Sequence, residues 1–150
     1  MRSAEERLTS AGSPFELFTT QIEGVPCASY RHAPRTLPEL LQKIRRTAAK
    51  ATLSTGDTCV AYDQLWRRAG TLAASLAVEG NICAGMRVGI AIRNGLEWPV
   101  AFLGTCMLGA IPVLVEPELR ADDLYEMLGQ AECRAAVLDD LVADQLWALG

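Results

Sequence analysis

From Tyr62 onward, apolar residues recur every three and four positions: Tyr62, Leu65, Trp66, Ala69, Leu72, Ala73, Leu76 and Ala77. That is the period of an α-helix with one buried face, and it predicts a helix stopped by Gly80. Arg67, Arg68 and Glu79 fall off the stripe, whereas Tyr62 and Trp66 lie on it and read as core aromatics. A shorter stripe runs through Leu37, Leu40, Leu41, Ile44 and Ala48. Its start is marked by Thr36-Leu37-Pro38-Glu39: a threonine cap, a glutamate three residues on, and a proline where its absent N–H does no harm.

After Gly85 the period changes. Met86 to Ile92 is rich in β-branched residues and predicts a mostly buried strand. Arg93-Asn94-Gly95 reads as a turn, and Asn94 with Glu97 three residues on has the form of a helix cap. Pro99 leaves the start of that helix open, because a proline past the first turn removes a helical hydrogen bond. Gly109 ends it, and Ile111 to Val115 follows as a second buried strand. Ala121 to Ala131 is amphipathic, with Leu124, Met127, Leu128 and Ala131 on one side; Arg134 to Leu138 is a third strand and Leu141 to Leu149 a further helix. Strand and helix alternating at these lengths predict an α/β fold: βαβ units with a mostly parallel sheet flanked by helices. Before this region the pattern is weaker. Residues 1–12 read as a flexible lead, residues 13–150 as one α/β subdomain, and Val25 to His32 as an extended stretch.

Composition narrows the function. Half of the 150 residues are apolar and 21% are charged, which is globular rather than disordered. A net charge of -4, only two lysines among 14 cations and no basic run longer than two argue against a general nucleic-acid surface. The five cysteines (Cys27, Cys59, Cys83, Cys106 and Cys133) lie more than twenty residues apart, and His32 is the only histidine. That spacing argues against a zinc site and for small buried side chains in a reducing compartment. Met1 to Ser10 holds acidic residues and no apolar core, unlike a signal peptide. Trp98 to Val115 is uncharged over 18 residues, the lower length for a spanning helix. Pro99, Gly104, Gly109 and Pro112 interrupt it, so a buried helix, turn and strand are expected there, no membrane span, and a cytoplasmic protein.

Catalytic signatures are mostly missing. The chain has no G-x-G-x-x-G, no G-x-x-x-x-G-K-[ST] and no G-x-S-x-G. Asp122-Asp123 and Asp139-Asp140 fall at helix starts, where the helix dipole favours carboxylates, and read as caps.

Two constellations say more. One is Val60-Ala61-Tyr62-Asp63-Gln64-Leu65-Trp66-Arg67-Arg68. The other is Gly85-Met86-Arg87-Val88-Gly89-Ile90-Ala91-Ile92-Arg93-Asn94, then Glu97-Trp98, Ala101-Phe102-Leu103-Gly104 and Gly109-Ala110-Ile111-Pro112-Val113. Together they resemble the N-terminal subdomain of the AMP-forming acyl-CoA synthetases, where a T-Y-x-E-L helix precedes a G-D-R-V-A-I strand, an N-x-x-E-W helix and a G-A-x-x-V-P strand. The opening, Ser13-Pro14-Phe15-Glu16-Leu17 through Ala33-Pro34-Arg35-Thr36-Leu37, is similar to the lead-in of the fatty-acyl-CoA branch. Departures lie at turns and caps: Ala61 for a threonine, Met86 for an aspartate, and Val115-Glu116-Pro117 for an L-N-P turn.

The resemblance implies an ATP-dependent carboxylic acid–CoA ligase, using ATP, Mg²⁺ and CoA on a fatty or other carboxylic acid. It also implies that the Thr/Ser/Gly-rich phosphate loop, the adenine and ribose contacts and the catalytic lysine lie beyond Gly150. This segment is then expected to be scaffold, inactive alone, with no catalytic, cofactor-binding or metal-ligating residue of its own. Tyr62, Arg87, Asn94, Glu97, Trp98 and Gly109 are its structural markers. A stand-alone interaction module that kept the fold without the chemistry is the alternative; its uncovered apolar face would drive self-association.

Overall fold

A computed structural model of the protein describes residues 3–47, 51–56 and 58–148. It divides into two units between Arg35 and Thr36. In the first, a short helix α1 (Ala4–Thr9) lies inside the stretch expected as lead, and Ser3 and Glu6 close a capping box at its start. Strands β1 (Leu17–Ile22) and β2 (Val25–Tyr30) then form an antiparallel hairpin, with Glu23 and Gly24 at its tip in the left-handed region. β2 coincides with the expected extended stretch; β1 was not foreseen. No described residue of this unit is buried.

The second unit opens with α2 (Leu37–Thr47), where the Glu39 N–H donates to Thr36 Oγ1 at 3.3 Å as the Thr-Leu-Pro-Glu signature predicts. Its stripe is only partly inward. Leu41 is buried and Ile44 half-buried, but Leu37 and Leu40 are exposed, and Ala48 lies outside the described residues. A second hairpin, β3 (Thr52–Thr55) with β4 (Thr58–Ala61), is also absent from the sequence reading. Helix α3 (Tyr62–Val78) follows, with Leu65, Ala69, Ala73 and Leu76 buried along the expected face. The left-handed residue after it is Asn81 rather than Gly80. Gly80 is needed for space instead: a Cβ there would stand 2.8 Å from the Leu76 carbonyl oxygen.

Strand β5 (Arg87–Ala91), helix α4 (Glu97–Met107), strand β6 (Ile111–Leu114), helix α5 (Ala121–Gln130), strand β7 (Ala135–Leu138) and helix α6 (Asp140–Trp147) complete the chain. The three strands form a parallel sheet in the order β6-β5-β7. Side chains on opposite faces of β5 enter different layers, as the two-residue period of a strand requires. Val88 and Ile90 pack with Leu76 and Ala101 on the α3–α4 side, whereas Ala91 packs with Leu124 and Val142 on the α5–α6 side.

Several expectations change. Asn94 does not cap α4: the N-cap is Leu96, without a side-chain cap bond. Starting at Glu97 places Pro99 inside the first turn, where no intrahelical N–H is needed, and so accommodates the proline. Gly109 ends the helix at φ +70 as expected. The uncharged run therefore divides into an 11-residue helix and a strand, and no described helix is long and apolar enough to cross a membrane. Met127 is 45% exposed, off the buried side of α5. Of the cysteines, only Cys106 is buried; Cys59 and Cys83 are exposed because they lie in a hairpin and a surface loop. Leu149, the expected end of the last helix, lies outside the described residues.

Candidate functional site

The strand order dictates where a ligand would sit. From the end of β5 the chain crosses through α4 to β6 on one side, then returns through α5 to β7 on the other. The connections leaving β5 and β6 thus run in opposite directions across the sheet, with α4 and α5 on opposite faces, and a crevice opens at the carboxyl ends of the strands. Two adjoining cavities open at this end. One, about 460 Å³, is lined by Arg93, Asn94, Trp98, Leu114, Glu116 and Glu118, among others. The second, about 630 Å³, lies towards α6 and is lined by Arg93, Leu119, Leu141, Val142 and Gln145, among others. Arg93 is part of both walls.

Arg93 is held from behind. Its Nε donates to Asp139 Oδ2 at 2.8 Å and its backbone N–H donates to the same oxygen at 3.2 Å. The other carboxylate oxygen, Oδ1, accepts the Val142 N–H at 3.1 Å and so caps α6. Asp139 follows β7 directly and Arg93 lies two residues past β5, so two neighbouring parallel strands place the pair together. The Arg93 guanidinium, with the Val142 N–H, holds the Asp139 carboxyl down at about 2. Reciprocally, the Asp139 bond raises the pKa of Arg93. On the other wall the Trp98 ring stacks on Phe102, with centroids 5.4 Å apart and planes within 6°.

The structure does not bring the six marker residues together. Asn94 and Trp98 line the first cavity, and Glu97 stands at the start of α4 beside them. Arg87 lies at the opposite, amino end of β5, paired with Glu132 at 2.7 Å. Tyr62 is half-buried against Trp66 at the start of α3, and burial raises its pKa. Gly109 shapes the turn before β6, where a Cβ would stand 3.3 Å from that of Ala84. Sequence reasoning saw Asp139 as a helix cap, which it is, but missed its second partner. The available signal was a basic residue and an acidic residue ending two strands of one βαβ system.

Chemically, this crevice is not a triphosphate cradle. Of its two guanidiniums, Arg93 is engaged by Asp139 and Arg120 by Asp122, and Glu116 and Glu118 add two carboxylates to the rim. Carboxylates at the rim repel a polyphosphate rather than hold it. Among the described residues no cluster of three His, Cys, Asp or Glu side chains is placed to hold a metal. What the geometry provides is a rigid carboxyl-end rim.

In class the second unit is a parallel α/β scaffold with an open crevice at its strand ends. The AMP-binding enzyme family matches residues 40–148, and the protein belongs to that family of adenylate-forming enzymes. It is 27% identical over 106 residues to the AMB antimetabolite synthetase AmbB of Pseudomonas aeruginosa, covering 71% of this chain and 8% of AmbB. Over 76 residues it is 30% identical to a 4-chlorobenzoate–CoA ligase of Arthrobacter sp., covering 51% of this chain and 14% of the ligase. Its fold is that of the N-terminal subdomain of Klebsiella oxytoca NpsA, with a TM-score of 0.64 and 23% identity over 71% of this chain and 28% of that one. The chain thus spans a small part of the length of each curated relative.

Proposed function

We propose that residues 13–150 form the N-terminal subdomain of an ATP-dependent carboxylic acid–CoA ligase and act there as scaffold. The observation that carries this reading is the family match across residues 40–148, laid over the whole parallel sheet. Identity with a 4-chlorobenzoate–CoA ligase supports a CoA thioester as the product and an aryl or other carboxylic acid as the substrate. In such a reaction a carboxylate oxygen attacks the α-phosphate of ATP, pyrophosphate leaves, and the CoA thiol then displaces AMP from the acyl adenylate. Stabilising the charge that develops at phosphate requires cations or N–H donors aimed at it. The acidic rim described above does not supply them, so no step is assigned to a residue of this chain.

The match to AmbB, an antimetabolite synthetase, and the likeness to NpsA-ThdA, an adenylation–PCP di-domain NRPS, favour a second reading, an adenylation unit of such a synthetase, which would share the first half-reaction and differ in the acceptor of the acyl group. A chimera separates the readings: residues 40–148 replace the matching segment of the Arthrobacter ligase. A chimera that melts cooperatively and makes 4-chlorobenzoyl-CoA supports the scaffold role in a CoA ligase. One that folds, exchanges pyrophosphate with ATP and makes no thioester supports the second reading. The chain by itself is expected to show no ATP–pyrophosphate exchange, and exchange by the pure chain would overturn the scaffold assignment.

A further inference from the structure

We draw no further inference here: the strongest candidate, the rim of the carboxyl-end crevice where Trp98, Glu116 and Glu118 line the first cavity, belongs to the site already described, and nothing in the structure shows what covers it.

Discussion

The two faces of the parallel sheet are built differently. On the α3–α4 side, helix packs on helix as well as on strand: Ala69, Ala101, Leu103, Thr105 and Cys106 are all buried, and Thr105 returns its hydroxyl to the Ala101 carbonyl at 2.9 Å. α2 and the β3–β4 hairpin add a further layer through Leu41 and Val60. On the α5–α6 side, Leu124 and Val142 alone reach full burial from the helices, while Tyr125, Met127, Leu141 and Trp147 are exposed. One face is an interior, the other a single covering layer. Removing comparable volume from each should therefore cost different amounts, since a cavity costs most where its walls cannot relax. Ile90→Ala, on the thick side and 1% exposed, should destabilise by about 3–5 kcal/mol. Leu124→Ala, equally buried on the thin side, should cost about 2–3 kcal/mol. Urea denaturation gives both, and equal losses would break the comparison.

Two glycines sharpen it at a smaller scale. Gly104 lets α4 approach α3 closely: a Cβ there would stand 2.9 Å from the Ala69 carbonyl oxygen, which is backbone and cannot swing away. Gly89 faces the thin side, where a Cβ would overlap the tip of Leu128 at 2.3 Å. A leucine tip in a partly exposed layer can rotate aside. Gly104→Ala should therefore cost about 2–3 kcal/mol and Gly89→Ala about 1 kcal/mol, the two ends of the range for overpacking. Thermal unfolding of the two variants side by side tests the order, and the reverse order would mean that α5 is held as firmly as α4.

The thick side was also the more legible in sequence. α3 and β5 showed strong, unbroken periods, and a periodic apolar face identifies an element without further information. The hairpins were not legible. β3 and β4 are four residues each, with burial confined mostly to Leu53 and Val60, so alternation had too few positions to register. The stripe on α2 predicted a helix correctly but could not say which of its leucines the fold would cover. The Arg93–Asp139 pair was invisible for another reason. The two residues are 46 positions apart, and only the β5–β7 register brings them together.

That pair gives the third prediction, smaller than the core and glycine effects. Asp139 has its pKa depressed from 3.8 to about 2 in the folded chain, chiefly by the Arg93 bond. A depressed carboxyl stabilises the fold above its unfolded value and loses that contribution as pH falls through the folded one. The Arg93–Asp139 contribution is therefore complete above about pH 4 and disappears towards about pH 2. Asp139→Asn should lower the melting temperature modestly at neutral pH and flatten its fall between those two values. An unchanged acid slope would mean that the ion pair does not tie β5 to α6.

The smallest effect belongs at Asn94. Its spacing to Glu97 has the form of a capping box, and for a true cap the change to alanine would cost roughly 1 kcal/mol. Here α4 begins at Glu97 behind Leu96, and Asn94 is an exposed residue of the crevice wall without a cap bond. Asn94→Ala should then stay within about 0.5 kcal/mol of the parent, as for surface positions without a special partner. Because the same side chain lines the cavity, the variant also separates stability from binding: a stable Asn94→Ala protein with altered ligand affinity in the chimeric ligase would place Asn94 in the site. A loss of a full kcal/mol in the chain alone would instead return it to the role its spacing suggests, and would move the start of α4 back towards the turn.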